Sequence, residues 1–256
     1  MPNLYETICY EKSFLKEVVV RIDFPSLPND MTTTLPKTLE NAIIANFPIP
    51  EPRTAQVHEV LMSETTVQTS RTETKEWVFH GKDRDKTLIV GCNYFTLSIK
   101  KYKNYENLLS DIKAPLDALY QHASAVSANR IGLRYINVIE SKKDSNPLNW
   151  KGQINKDMLA LLNLQNNGHT LSRVFSVLEF NVDGLMLKSQ FGIPNPDYPA
   201  PIKQKQFVID LDAYVFGSFS REEINTTLGS AHFIIQDFFE KSITDKVRNI
   251  MKKQSV

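Results

Sequence analysis

Apolar and polar residues alternate along several short segments of the chain, which is the pattern of strands that bury one face. In the first such segment, Glu17 to Phe24, the apolar residues Val18, Val20 and Ile22 share one side with Phe24. Similar alternation, or enrichment in β-branched and aromatic residues, predicts strands over residues 57–70, 75–80, 86–90, 94–100, 129–140, 171–182, 185–193 and 206–214. The Asp183-Gly184 pair between two of these strands predicts a tight hairpin turn.

Apolar residues that recur every third or fourth position predict the helices. This spacing predicts a short helix over residues 35–47 and a long one over residues 104–124. We expect Pro115 to kink the long helix or divide it in two, because its ring clashes with the preceding turn. Ser220 and Glu223 form a capping box that opens another helix. Shorter helices are predicted over residues 155–162 and 245–253.

The predicted elements run strand, helix, meander, helix, and the same order then repeats. The join lies near residues 125–128, so the sequence predicts two α+β halves, 1–125 and 126–256, packed as one globular unit. The opening strands VVVRIDF (18–24) and GLRYINV (132–138) each carry one internal arginine. We expect a fold of the α+β class with duplicated halves related by a pseudo-twofold axis. The halves would share one largely antiparallel sheet with helices packed on one face. The alternative is convergence of two ordinary sheet patterns.

The amino-acid composition bears on the cellular location of the protein and says little about any reaction that it performs. The 30 lysines and arginines balance 29 acidic residues, so no global field attracts the chain to nucleic acid or an anionic membrane. Cys9 and Cys92 are too few for a disulfide framework or a thiolate metal site, and we expect Cys92 to be buried in a strand. The N-terminal residues lack a secretory signal, and no window holds the roughly 18 apolar residues of a membrane-spanning helix. These features predict a cytoplasmic protein.

Several strand segments also carry a family resemblance that covers nearly the whole chain in one order. They are EVVVRIDF (17–24), WVF (77–79), FTLSIKKY (95–102), RIGLRYIN (130–137), FVIDLDAY (207–214) and FFEKSITDKVR (238–248). In these segments the chain resembles a sporadically distributed prokaryotic family of functionally uncharacterised proteins of similar length. The resemblance implies no activity, cofactor or catalytic residue. Its patchy occurrence is similar to that of mobile or defence-linked genes, which implies a regulatory, toxin–antitoxin or anti-phage context.

The sequence lacks the motifs of the common enzyme sites. It contains no phosphate-binding loop, dinucleotide glycine fingerprint, G-x-S-x-G elbow or H-E-x-x-H pair. The five histidines never pair at metal-ligand spacing, and we expect His232 to be a core-edge histidine with one hydrogen-bond partner. We therefore predict no catalytic residue, no metal and no cofactor.

Two pairs of charged residues form the candidate ligand-binding site. Asp210 and Asp212 share one face of a strand at roughly 7 Å, where two carboxylates can hold a divalent cation with a third acid or do acid–base work. Arg21 and Arg134 occupy matching places in the two opening strands, and guanidinium groups near a pseudo-axis can clamp a carboxylate or phosphate. The alternatives are aspartates paired with neighbouring cations and an arginine paired within the chain, for instance Arg21 with Asp23.

Three hypotheses about function follow from these patterns. The leading one is a non-enzymatic binding or interaction module that regulates a protein partner. The second is a small-molecule or anion binder, or an enzyme, that uses a pocket between the two halves. The third is a nucleic-acid-binding module in which Lys100, Lys101 and Lys103 contact phosphates while neighbouring tyrosines stack on bases, although solvated lysines at a strand exit are commoner. A homodimer is compatible with the sequence, whereas a membrane partner is not expected and nucleic acid is disfavoured by the charge balance.

Overall fold

A computed structural model describes residues 10–62, 67–140, 146–164 and 171–252 of the chain. Within these ranges the protein is of the α+β class, with a large antiparallel sheet of ten strands, as the alternation predicted. Their order in the sheet is β2-β4-β5-β6-β1-β7-β10-β9-β8, and β3 pairs with β4 beside this path. The strands are β1 (Leu15–Asp23), β2 (Ile49–Pro50), β3 (Arg53–Met62), β4 (Val67–His80), β5 (Lys86–Val90), β6 (Tyr94–Ile99), β7 (Ala128–Glu140), β8 (Val174–Val182), β9 (Leu185–Ile193) and β10 (Gln206–Phe219).

Helices account for most of the remaining regular structure in the described ranges. None of them is long and apolar enough to cross a membrane. The α-helices are α1 (Lys37–Ile44), α2 (Tyr105–His122), α3 (Arg221–Ser242) and α4 (Asp245–Met251), and two 3₁₀ helices cover Asn29–Thr32 and Lys156–Leu164.

Strand β1 shows why the alternating pattern forms a strand here. Val18, Val20 and Ile22 are fully buried, whereas Arg21 between them is exposed. The side chains of successive strand residues point to opposite faces, so one face packs into the core and the other remains open. Burial of apolar surface on the packed face stabilises the strand by about 25 cal/mol per Å².

The structure tests two sequence predictions about helices, the capping box of α3 and the effect of Pro115 on α2. The capping box of α3 is confirmed: the Ser220 amide donates to Glu223 Oε2 at 2.7 Å, and the Glu223 amide donates to Ser220 Oγ at 3.4 Å. Pro115 was expected to kink α2 or divide it in two, and the division is wrong, because the helix runs unbroken from Tyr105 to His122. Pro115 is buried with the apolar face of α2, and the burial of that face offsets the hydrogen bond that proline removes.

Two further predictions need correction. Cys92 is half-buried in the turn between β5 and β6, not buried in a strand, because the strand ends at Val90. Strand β10 continues to Phe219, five residues beyond the predicted end at Tyr214, because its last residues remain extended after the apolar alternation stops.

Contacts divide the chain into two compact units. The first unit takes Met1–Val18, Gly132–Val215 and Thr226–Val256, and its core includes the Trp150 and Phe207 rings, whose centroids are 5.5 Å apart. The second unit takes Val19–Ile131 and Phe216–Asn225, and its core includes the fully buried side chains of α1.

The same strand order occurs in two sets of four strands. Strands β1, β6, β5 and β4 are neighbours in that order, and so are β7, β10, β9 and β8. In each set the opening strand pairs with the last strand of the meander that follows it. This shared order is what a duplication predicts, and the halves 1–125 and 126–256 with their pseudo-twofold axis remain a prediction.

Candidate functional site

Three of the predicted site residues lie together on the open face of the first unit. The Arg134 guanidinium of β7 binds the Asp210 carboxylate of β10 through two parallel hydrogen bonds, Nε to Oδ1 at 2.8 Å and Nη2 to Oδ2 at 2.5 Å. The Asp210 side chain is only 12% exposed, whereas that of Arg134 is 45% exposed. This fork geometry matches the planar guanidinium to the planar carboxylate and makes the pair directional.

A row of opposite charges crosses the sheet beside this ion pair. Asp212 of β10 lies opposite Lys188 of β9, and Lys188 lies opposite Glu179 of β8. Directly opposed side chains in an antiparallel pair have Cβ atoms about 5 Å apart, so these charges interact across the strands. We call Asp212, Lys188 and Glu179 the charge row. A depression of about 110 Å³ opens next to it, lined by Arg134, Lys188, Gln190, Asp210 and Asp212.

The electrostatics at Arg134 favour charge neutralisation over acid–base chemistry. The hydrogen bonds to Asp210 raise the pKa of Arg134 above its ordinary value, against the opposing effect of partial burial. The negative charges of Asp210, Asp212 and Glu17 raise that pKa further. Arg134 therefore stays charged and can neither donate nor accept a proton in a reaction. Within the described residues no group of three histidine, cysteine or acidic side chains is placed to hold a metal ion.

The fourth predicted residue, Arg21, is engaged within the second unit. Its Nε donates to Asp23 Oδ1 at 2.7 Å, and its guanidinium carbon lies 4.6 Å from the centroid of the Tyr94 ring. Arg130 Nη1 contacts the other oxygen of Asp23 at 3.4 Å. Arg21 is thus paired with Asp23, the intramolecular alternative named above, and it is not among the residues that line the depression.

Tyr94 also belongs to a buried acid network in the second unit. Its hydroxyl donates to Glu76 Oε1, and Arg53 Nε donates to Glu76 Oε2 at 2.5 Å. Burial alone would raise the pKa of Glu76, but the hydrogen bonds from Tyr94 and Arg53 together with the nearby positive charges lower it. The phenol of Tyr94 has a raised pKa, because burial and the hydrogen bond to a carboxylate disfavour the phenolate.

The remaining candidates from the sequence lie on separate elements. Lys100, Lys101 and Lys103 are exposed in the connection between β6 and α2. His232 of α3 is half-buried, and its Nδ1 lies 2.9 Å from the hydroxyl of Tyr135. That geometry fits the core-edge role expected for this histidine.

The most unusual surface of the described chain is strand β8, which the sequence interpretation treated as an ordinary hairpin strand. β8 is the last strand of the sheet and pairs with β9 only, among the residues that the structure describes. Four of its side chains are large, apolar and exposed: Phe175 (38%), Val177 (52%), Leu178 (43%) and Phe180 (38%). Such a strand presents apolar side chains and unpaired backbone groups at one edge, which favours pairing with another chain.

Neighbouring structure holds β8 in an extended conformation. The Asp183-Gly184 turn that joins it to β9 has positive φ angles at both residues, 51° and 87°, as predicted for a two-residue hairpin. At the other end, Asn195 Nδ2 donates to the carbonyl of Ser172 at 2.8 Å. The ring of Phe180 packs against that of Phe238 on α3, with centroids 5.7 Å apart. β8 is therefore preorganised rather than formed on binding.

Gly192 permits the close pairing of β9 with the start of β8. Its φ is 156°, and a Cβ at this position would lie 2.0 Å from the carbonyl oxygen of Val174. Only a residue without a Cβ fits this approach.

The edge position of β8 has no signature in the sequence alone. Its residues VFSVLEFNV are apolar at both odd and even positions, and this pattern is typical of a strand covered on both faces. Apolar residues on both faces of the first strand of a meander are the signal that could have raised the question of where this strand lies in the sheet. The strand order is needed to answer it.

Comparison with known proteins leaves the family of this chain open. No model of a known protein family matches it, and no curated protein is similar to it at a significant level. The resemblance to a sporadically distributed prokaryotic family therefore stays a hypothesis, and the function is argued from the structure.

Proposed function

We propose that this protein is a non-enzymatic interaction module that binds an extended segment of a protein partner by strand addition to β8. The single observation that carries the proposal is the exposed, apolar edge of this nine-residue strand. In strand addition, main-chain hydrogen bonds supply affinity and alternate side chains supply specificity.

The backbone of β8 has the outward hydrogen-bonding groups that strand addition needs. Val182 and Leu185 flank the two-residue turn and so form a hydrogen-bonded pair of the hairpin. Hydrogen-bonded and non-hydrogen-bonded pairs alternate along an antiparallel ladder. Phe175, Val177 and Glu179 therefore direct their N–H and C=O groups away from β9.

The side chains of β8 lack the features that normally block an edge. Soluble proteins protect edge strands with proline, lysine, short length or a bulge. β8 contains no proline or lysine, its register with β9 is continuous, and Glu179 is its single charged residue. Burying one of its exposed apolar side chains in a complex would contribute on the order of 1 kcal/mol.

Other exposed apolar residues of the described chain are scattered over separate elements. Ile44 lies on α1, Phe216 on β10 and Ile250 on α4. Single exposed apolar residues are normal on soluble proteins, whereas four on one strand form a patch. β8 is the surface where these residues are concentrated.

The alternative functions receive less support from the geometry. Asp210 already binds two of the N–H donors of Arg134 and neutralises its charge, so the attraction of this guanidinium for a further anion is weakened. The lysines between β6 and α2 are exposed, but a net charge of +1 gives the chain no field to attract nucleic acid.

The proposal is tested by selecting random extended peptides on the immobilised protein and measuring their affinity for two variants. Val177→Lys places a charge on the centre of β8, and Ile250→Lys is the matched control, since Ile250 is 47% exposed on α4. We expect Val177→Lys to weaken binding about tenfold or more and Ile250→Lys to leave it unchanged. Hydrogen exchange should show protection of the β8 amides in the complex. Recovery of no peptide by a protein that is monomeric, or equal binding by both variants, would contradict the proposal.

A further inference from the structure

We infer that the strand added to β8 is β8 of a second copy of this chain, paired antiparallel about a twofold axis at Ser176. This inference rests on the proposed function and names its partner. In this register Arg173 of each copy lies opposite Glu179 of the other. The interface is isologous, so the same contacts occur twice and the assembly closes as a dimer.

The faces of the strand limit the registers that a symmetric pair can adopt. A twofold axis perpendicular to the sheet keeps each face on its own side, so opposed residues must have the same parity. The axis can then pass through Ser176, Val177 or Leu178 near the middle of the exposed segment. These choices place Glu179 opposite Arg173, Phe175 or Val177, respectively.

The charge of Glu179 favours the register with the twofold axis at Ser176 over the other two. With the axis at Leu178, the two Glu179 side chains would be diagonal neighbours about 7 Å apart, and like charges at that distance repel. With the axis at Val177, each Glu179 would face an aromatic ring. With the axis at Ser176, each Glu179 faces a guanidinium group, because Arg173 directly precedes β8 and is exposed.

The apolar residues also pair well in the Ser176 register. On the open face, Phe175 of each copy lies opposite Val177 of the other, and these side chains are 38% and 52% exposed in the single chain. On the other face, Val174 lies opposite Leu178. Aromatic and β-branched residues in opposed positions are favourable cross-strand pairs.

The new ion pairs would extend the charge row across the dimer interface. Within one chain, Asp212 faces Lys188 and Lys188 faces Glu179, so the row ends on an acidic residue at the edge. Arg173 of the second copy adds a cation to that end and continues the alternation of sign. Within its own chain, Arg173 has its guanidinium carbon 4.5 Å from the centroid of the Tyr198 ring, which holds the side chain at the surface.

Charge reversal combined with mixing tests the register directly. Arg173→Glu alone brings two acids together at both ends of its homodimer, and Glu179→Arg alone brings two arginines together. We expect each variant to raise the dimer dissociation constant about tenfold or more. An equimolar mixture of the two variants restores an attractive pair at both ends of a heterodimer. We therefore expect the mixture to form heterodimers with nearly the affinity of the unaltered protein, measured by sedimentation velocity and native mass spectrometry.

The outcomes separate this inference from the proposed function. An unaltered protein that stays monomeric throughout a concentration series, while selected peptides still bind β8, would overturn the second copy as partner and leave strand addition in place. Dimers that survive Val177→Lys, or dimers insensitive to both charge reversals, would overturn the β8 register. Failure of peptide binding and of dimerisation together would overturn both proposals.

Discussion

The ion pair between Arg134 and Asp210 either stabilises the sheet or serves a ligand-binding site, and substitution of each partner distinguishes these two roles. Replacing Arg134 with methionine keeps the aliphatic stem but removes both donors to a carboxylate that is only 12% exposed. Asp210→Asn is the reciprocal change, which keeps the shape of the side chain and removes its charge. If the pair stabilises the sheet, Arg134→Met should lower the free energy of unfolding more than Asp210→Asn does.

The expected magnitudes follow from the burial of the two partners. Breaking a fully buried ion pair costs about 3–5 kcal/mol, whereas an exposed pair contributes about 0–1 kcal/mol. Asp210 is nearly buried and Arg134 is 45% exposed, so we expect Arg134→Met to lower the free energy of unfolding by about 2 kcal/mol. Asp210→Asn should cost about 1 kcal/mol, because the half-exposed guanidinium regains water.

Arg21→Met on β1 is a matched control, because Arg21 is also a half-exposed strand arginine paired with an aspartate. The Arg21 side chain is 48% exposed, and its partner Asp23 keeps a contact with Arg130 at 3.4 Å. The loss of Arg21 should therefore cost about 0.5 kcal/mol or less.

Urea unfolding followed by tryptophan fluorescence measures these effects. Each unit contains one tryptophan, Trp150 in the first and Trp77 in the second, and Trp150 is 1% exposed. A Trp77→Phe background leaves Trp150 as the reporter of the unit that holds Arg134. An Arg134→Met variant within about 0.5 kcal/mol of this background, together with a costlier Asp210→Asn, would refute the structural role and favour a ligand-binding one.

Two further predictions concern β8 and pH. Gly192→Ala should destabilise the pairing of β8 with β9 by about 2 kcal/mol or more, because the added Cβ would lie 2.0 Å from the Val174 carbonyl oxygen. Hydrogen exchange of the β8 amides measures this loss of stability. Unchanged protection of these amides would contradict the close approach of the two strands. The raised pKa of Tyr94 predicts stability that is fully present below the unfolded phenol value of about 10 and is lost as pH rises beyond it. Alkaline titration of tyrosinate absorbance checks this prediction, and Tyr94→Phe should remove that part of the pH dependence while the parent retains it.

Local patterns were sufficient to predict most elements but not their partners. Val18, Val20 and Ile22 predicted β1 because strand alternation depends only on neighbouring residues, and the Asp183-Gly184 turn depends on two residues alone. The continuity of α2 through Pro115 could not be predicted, since the burial that offsets the lost hydrogen bond comes from tertiary packing.

The candidate site shows the same limit. Asp210 and Arg134 are 76 residues apart, and the residue types alone indicated that each can bind a charged group without showing that each is the partner of the other. The edge position of β8 was equally hidden, because a strand order is a property of the whole sheet and not of the nine residues that form its end.

The polar and apolar features of the first unit together would make the proposed strand addition to β8 selective. Exposed apolar side chains on β8 favour pairing with many strands, and an edge of this kind specifies register only weakly. A single acid at Glu179, held opposite Lys188, penalises any added strand that brings an apolar or acidic residue to that position. Asp212, predicted from the sequence as part of a ligand site, would then act on the partner only through its neighbours Lys188 and Glu179.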